Sequence, residues 1–149
     1  MKKVTIKLLT LMLALMMVFG ATGVTTNAAG KDAKAKSFCK TLNNGNKFCK
    51  AIGNYKVKCK KKGGKYVYDI TVNTKVSAGM YKMTKAMVPD KYYETRDSFV
   101  KASKKLKKKA KKAGIKNAVI HYVIKADGEK LWEFYDGLLI YDKFDPVTK

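Results

Sequence analysis

The feature that most constrains the fold is an alternation of apolar and polar residues on both sides of Gly63-Gly64. Apolar residues at every second position are typical of strands with one buried face. Two glycines between such runs favour a two-residue hairpin turn. With that turn, Cys59 lies opposite Tyr68, and the apolar positions coincide along the whole pair. Turn and alternation therefore predict the same register for a β-hairpin over about residues 55–73.

The polar face of the first of these strands carries four lysines, about 7 Å apart along the strand. They are Lys56, Lys58, Lys60 and Lys62. In the predicted register, Lys58 lies opposite Asp69. This lysine comb is one candidate surface for an anionic partner. The alternative is an edge strand that is charged to prevent aggregation between sheets.

A basic helix is predicted over about residues 90–113. Eight of the twelve residues from Lys101 to Lys112 are lysine. Apolar or small residues recur every three or four positions from Phe99 to Ala113, which is typical of a helix with one buried face. Asp90 is the predicted N-cap, and Gly114 is a typical residue just past a helix C-terminus.

The lysines of this helix repel one another, since pairs four residues apart each cost about 0.2–0.5 kcal/mol. No acid lies between Asp97 and Asp127 to relieve the repulsion. Burial of Phe99 and Leu106 would offset it, and so would a bound polyanion. The alternative is a solvated face that keeps the protein soluble. The candidate polyanion-binding residues of the helix are Lys101, Lys104, Lys105, Lys108, Lys109 and Lys112.

A second hairpin is predicted over about residues 117–141, because Asp127-Gly128 is a strong type I′ turn signal. Pairing outward from this turn places His121 opposite Phe134 and makes both faces largely apolar. Such a sheet is either covered on both faces or exposes an aromatic patch. The candidate residues for binding a partner protein at this patch are Trp132, Phe134 and His121.

These elements predict an α+β domain. The two antiparallel hairpins form one four-stranded sheet, and the basic helix packs against it. The segment from Ser77 to Met87 is either a short helix or an irregular crossing. The order of the strands across the two hairpins stays open.

The N-terminus has the parts of a secretory signal peptide over residues 1–28. Lysines precede an apolar run from Leu8 to Phe19, which is short for a membrane span, and Ala28 ends a cleavage site. We expect cleavage after Ala28, a flexible lead-in over residues 29–36 and a single domain over 37–149. The product is then secreted and is either extracellular or associated with the cell wall.

Three cysteines, Cys39, Cys49 and Cys59, cannot all pair within one chain. In an exported protein we expect one disulfide, with any of the three pairs open, or a bridge between two chains that gives a linked dimer. No metal site is expected, because no two cysteines are closely spaced and the chain has one histidine.

The charge of the chain is +22, and loss of the three signal-peptide lysines lowers it to +19. Residues 117–149 carry −2, so residues 29–116 carry +21. Arg96 is the only arginine. Lysine lacks the planar fork that reads bases, so this balance favours diffuse charge matching over sequence-specific recognition. The alternative is an AT-rich bacterial genome, in which lysine codons are frequent.

No catalytic constellation is visible, since the chain has no serine elbow, no glycine-rich phosphate loop and no second histidine. We therefore expect a non-enzymatic protein without a cofactor that binds an extracellular anionic polymer, which is a cell-wall polymer, an acidic glycan or nucleic acid. The alternative is a protein–protein interaction module or enzyme inhibitor that uses the aromatic sheet face. A weaker alternative is a membrane-active cationic protein.

Overall fold

The computed structural model describes residues 30–44 and 53–148. The predicted signal peptide and Cys49 lie outside the described residues. Along the described chain the elements are helix α1 Lys31–Asn44, strands β1 Gly53–Lys62 and β2 Lys65–Thr74, helices α2 Ala78–Met87 and α3 Pro89–Lys112, and strands β3 Ala118–Ala126, β4 Glu129–Tyr135 and β5 Leu138–Asp142. Within this part of the chain, no helix is long and apolar enough to cross a membrane.

The strands form one mixed sheet in the order β1-β2-β3-β4-β5. The central pair β2–β3 is parallel, and its connection carries α2 and α3, since parallel strands need a long crossover. The other neighbours are antiparallel. The predicted α+β class is therefore confirmed, and the predicted count of four strands is wrong. A turn at Asp136 and Gly137, whose φ values are 52° and 86°, divides the predicted last strand into β4 and β5.

The register predicted for the first hairpin is confirmed. Cys59 pairs with Tyr68, and Lys58 pairs with Asp69. Gly63 and Gly64 have φ values of 55° and 72°, the left-handed conformation that a type I′ turn requires at both positions. The local pattern of residues predicts this register correctly because the two strands follow each other in sequence and are joined by a turn of two residues.

The register predicted for the second hairpin is wrong. His121 lies opposite Tyr135, not opposite Phe134. Phe134 lies opposite Tyr122 instead. The cause is a β-bulge between the pairs Lys125–Lys130 and Ile124–Trp132, where β4 has one extra residue, Leu131. Because side chains alternate along a strand, the residues of β4 beyond the bulge lie on the face opposite to the predicted one.

Helix α3 confirms the predicted basic helix, with a different N-terminus. It begins at Pro89, whose missing N–H costs nothing in a first turn, and Val88 is the N-cap. Asp90 is therefore not the N-cap but lies in the first turn, where the helix dipole favours a carboxylate. Gly114 has a φ of 85° and follows the C-cap, as predicted.

Residues 31–36 belong to helix α1, whereas the sequence predicts a flexible lead-in over residues 29–36. Ala35, Phe38 and Leu42 recur at spacings of three and four and are all buried, so the segment has an apolar face to pack. The Phe38 ring meets the Tyr68 ring edge-on with centroids 5.2 Å apart. Burial of this face orders a segment whose composition alone resembles a linker.

Helix α2 confirms the helical alternative for the segment after Ser77. The Ser77 side chain caps it by accepting a hydrogen bond from the backbone N–H of Met80 at 3.2 Å. Its one buried residue, Tyr81, packs edge-on against Trp132 with ring centroids 5.2 Å apart.

The described helices all lie on one face of the sheet. Phe38 of α1 contacts Tyr68, while Phe99 of α3 contacts Tyr122 and Phe134. These strand residues share a face through the observed registers. Alternate residues project from the other face, which we call the open face because none of the described helices covers it.

Candidate functional site

The ten lysines predicted to bind a polyanion lie on two separate surfaces. Those of the comb belong to the open face, because Lys58 pairs with Asp69 while the neighbouring Tyr68 points to the helices. The other lysines project from α3, on the opposite side of the sheet. The sheet therefore separates the two groups, and they do not form one contact surface.

Five lysines of α3 form what we call the helix lysine surface. They are Lys101, Lys104, Lys105, Lys108 and Lys112, and all five are exposed. Among the described residues, no acid forms an ion pair with any of them, while Lys107 reaches Asp136 at 2.5 Å. Most acids are bound elsewhere, for example Asp32 to Lys61. The charge of this surface is therefore uncompensated by the described part of the chain.

Lys109 differs from these five lysines. Its Nζ atom is buried and has no hydrogen-bond partner among the described residues. Burial lowers the pKa of its amine, and the charge of Lys105 lowers it further. Lys109 is thus half-buried on the same helix and does not share the exposed surface to which the sequence pattern assigned it.

All four lysines of the comb on β1 are exposed, and three of them, Lys56, Lys58 and Lys62, form no ion pair with a described acid. Lys60 is held by Asp69, with Nζ 2.7 Å from Oδ2. Because β1 is an edge of the sheet, protection against strand pairing explains the comb without any ligand.

A row of charged side chains, which we call the charged row, crosses the open face from β1 to β4. The carboxylate of Asp69 contacts two neighbours: its Oδ2 lies 2.7 Å from Lys60 Nζ, and its Oδ1 lies 2.6 Å from His121 Nδ1. His121 Nε2 lies 2.8 Å from Glu133 Oε1, and Lys130 lies 2.5 Å from Oε2 of the same carboxylate. Both ring nitrogens of His121 therefore face carboxylate oxygens, an arrangement in which only the imidazolium can donate to both.

The charged row lowers the pKa of both carboxylates. Burial raises the pKa of Asp69, but the hydrogen bonds from Lys60 and His121 outweigh it. At Glu133, burial likewise raises the pKa, and the hydrogen bonds from Lys130 and His121 outweigh it. The described residues contain no cluster of His, Cys, Asp and Glu that could hold a metal ion. The row therefore joins four strands by charge-assisted hydrogen bonds.

Acid should weaken the fold through the charged row. The ordinary pKa values are 3.8 for Asp69 and 4.5 for Glu133, and both are lowered in the folded chain. Each carboxylate therefore stabilises the fold above its ordinary pKa, and this stabilisation is lost as the pH falls through the folded value. Urea unfolding from about pH 6 to about pH 3 measures this loss. The double variant D69N/E133Q should lose less stability over that range than the wild type; an equal loss would contradict the assignment.

The predicted aromatic patch is not on the surface. Trp132 and Phe134 are both 0% exposed and pack under the helices. His121 lies on the open face, where it pairs with Asp69 across strands β2 and β3. The exposed large apolar side chains include Leu138 and Ile140 on β5. The residues proposed for a partner protein thus do not share one accessible surface.

The sequence pattern located the lysines and missed the charged row. Asp69 and His121 are paired across the parallel strands β2 and β3, which the local pattern could not show. Comparison of the chain with protein-family models, curated proteins and solved structures gave no match. Function is therefore inferred from geometry and charge.

Proposed function

We propose that the protein is exported and that its helix lysine surface binds anionic polymers without catalysis. The observation that carries this proposal is the uncompensated charge of five exposed lysines on α3. The acid nearest in sequence on the N-terminal side, Asp97, already bonds Arg96 at 3.2 Å. A polyanion would relieve the repulsion between these lysines, whose three pairs four residues apart cost the helix about 0.6–1.5 kcal/mol in total.

The dimensions of the surface suit a polymer better than a small anion. From Lys101 to Lys112 the helix rises about 16 Å, at about 1.5 Å per residue. Duplex DNA presents one charge per about 1.7 Å of axis, and other polyanions also present repeated charges. Lysine ammonium groups are point charges that match such charges without reading sequence. Wall phosphate polymers, acidic glycans and nucleic acids therefore all fit the proposal.

The helix lysine surface is a stronger candidate than the comb. The comb lies on an edge strand, where charged side chains prevent pairing with the sheet of another molecule, and this explains its lysines without a ligand. One of its members, Lys60, also forms an ion pair with Asp69. The exposed lysines of α3 have no such explanation within the described residues. The proposal therefore separates the two surfaces, and variants of equal charge can test it.

The test replaces four helix lysines by glutamine, in the variant K101Q/K104Q/K105Q/K108Q. The matched control removes the same charge from β1 and β2, in the variant K56Q/K58Q/K62Q/K65Q. Binding to a labelled single-stranded oligonucleotide, and in parallel to heparin, is measured by anisotropy from about 50 to 200 mM salt. Circular dichroism checks that both variants fold.

We expect the helix variant to bind more weakly than the control at every salt concentration. Its slope of log affinity against log salt should fall by about 3, since each phosphate contact contributes roughly 0.7 with a single strand. The control should retain most of the wild-type slope. Equal losses in both variants would mean that net charge alone drives binding, and an unchanged helix variant would also overturn the proposal.

A further inference from the structure

We infer that Cys39 and Cys59 form an intramolecular disulfide under oxidising conditions and that Cys49 is the cysteine left over. This inference is independent of polymer binding. It rests on the way α1 docks against the edge strand β1. The amino-acid pattern leaves three pairs open, and the described geometry selects one of them.

The two sulfur-bearing residues lie side by side. Cys39 Sγ is 3.8 Å from the carbonyl oxygen of Val57, two residues before Cys59 on β1. The backbone of Cys59 also hydrogen-bonds the Cys39 thiol. Cys59 faces α1, because it pairs with Tyr68, whose ring meets Phe38 of that helix. Burial raises the pKa of Cys59, and the charge of Cys39 raises it further. Both side chains are half-buried and are free thiols in this structure.

The docking of α1 holds this arrangement in place. The Asn43 side chain donates to the carbonyl oxygen of Val57 and accepts from its N–H, both at 2.9 Å. One turn before Asn43 on the same side of the helix, Cys39 meets the same strand. Phe38 anchors the helix through the Tyr68 ring. A disulfide needs Cα atoms about 4.4–6.8 Å apart. Here the side chains of Cys39 and Asn43 already bond the backbone of β1 directly at Val57, so helix and strand are closely packed at this point.

The bond forms by exchange with an external disulfide of the glutathione class. One protein thiol loses its proton to solvent, and its thiolate attacks a sulfur of the external disulfide, which releases one small thiolate. The second protein thiolate then attacks the mixed disulfide and releases the other. Two protein S–H bonds and one external S–S bond are thus exchanged for one protein S–S bond and two small thiols. Burial raises the pKa of both Cys39 and Cys59, so exchange should be faster at alkaline pH.

The bridge would close the chain from residue 39 to residue 59 and fix α1 to the sheet edge. A closed loop of this size stabilises a protein mainly by restricting the unfolded chain. The helix that covers Tyr68 would then be unable to leave the sheet without global unfolding.

The decisive variant is C49S, made in the full chain and oxidised in a glutathione redox buffer. We expect it to lose two hydrogen atoms by mass spectrometry and to give a tryptic fragment that joins residues 37–40 to residues 59–60. Its melting temperature should exceed that of its reduced form by on the order of 10 °C. The matched control C39S keeps Cys49 and Cys59 and should form no bridge within the chain.

Peptide mapping of the oxidised wild type gives a second readout that does not depend on a variant. A fragment joining 37–40 to 59–60 supports the inference. A fragment that joins residues 48–50 to either partner overturns it. A C49S protein that keeps both thiols, or links two chains, overturns it as well.

Discussion

Replacement of Trp132 by alanine is expected to remove about 3–5 kcal/mol from the free energy of unfolding. The indole is fully buried. It packs edge-on against Tyr81 and Tyr92, with ring centroids 5.2 and 5.4 Å away, and Phe99 lies 6.0 Å away. The substitution would leave a cavity where α2, α3 and the sheet meet. Since small domains are stable by only about 5–15 kcal/mol, this one change should bring the protein near unfolding at room temperature.

A matched variant separates the packing of Trp132 from its hydrogen bond. The indole N–H donates to the Tyr92 hydroxyl at 2.9 Å. W132F keeps an aromatic ring and loses this donor, so we expect a loss of about 1–2 kcal/mol. Urea unfolding followed by far-UV circular dichroism measures both variants on one scale. Wild-type stability in W132A would contradict the buried position and restore Trp132 as a residue for partner binding.

The prediction for Trp132 shows where sequence reasoning fails for this chain. The turn at Asp127-Gly128 was predicted, and the φ values of 53° and 78° confirm it. The bulge after Ile124 leaves no mark in the pattern of apolar residues. Because strand side chains alternate, one extra residue moved Trp132 from the predicted partner-binding face to the core. The first hairpin has no bulge, and its prediction was correct throughout.

The charged row could not be predicted for a different reason. Asp69 and His121 are 52 residues apart in sequence and meet only because β2 and β3 are parallel neighbours. Glu133 joins them from β4 only after the bulge has set its face. Local patterns state which side chains share a strand face, whereas strand order depends on packing across the domain. The helix lysines were located because their spacing is local, and only the inward turn of Lys109 was missed.

Replacement of Asp142 by alanine is the second change for which we expect a large effect, a loss of about 3–5 kcal/mol. The Asp142 side chain is 0% exposed and pairs with Arg96, whose Nη1 lies 3.1 Å from Oδ2. Its other oxygen, Oδ1, accepts hydrogen bonds from the Tyr92 hydroxyl at 2.6 Å and from the backbone N–H of Phe144 at 2.9 Å. Removal of the carboxylate would leave three donors without their acceptor in the interior.

The protonation of Tyr92 supports this assignment. Burial raises the pKa of its phenol, and the hydrogen bond to Asp142 raises it further. The phenol therefore stays protonated and donates to the carboxylate while it accepts from Trp132. D142N keeps the shape of the side chain but not the charge, so we expect it to lose less stability than D142A. Urea unfolding followed by the fluorescence of Trp132, the only tryptophan, measures both.

The same network explains why one basic residue is arginine when the other 32 are lysine. Arg96 bonds Asp97 through Nε at 3.2 Å and Asp142 through Nη1, while its guanidinium lies 4.8 Å over the Tyr93 ring. A lysine ammonium cannot make two bonds in a plane and stack at once. We therefore expect R96K to lose stability although it preserves the charge, and R96M to lose more.

A double-mutant cycle of R96M and D142N tests whether the pair acts as a unit. Residues that share a hydrogen-bond network show coupling of about 0.5–3 kcal/mol, so the double variant should be more stable than the sum of the single losses implies. Replacement of both members removes the uncompensated charge that each single variant leaves behind. Additive losses would mean that Arg96 is held by Asp97 and Asp145 instead, from which it lies 3.2 and 3.4 Å away. In that case the surface acids, and not the buried carboxylate, would explain the arginine.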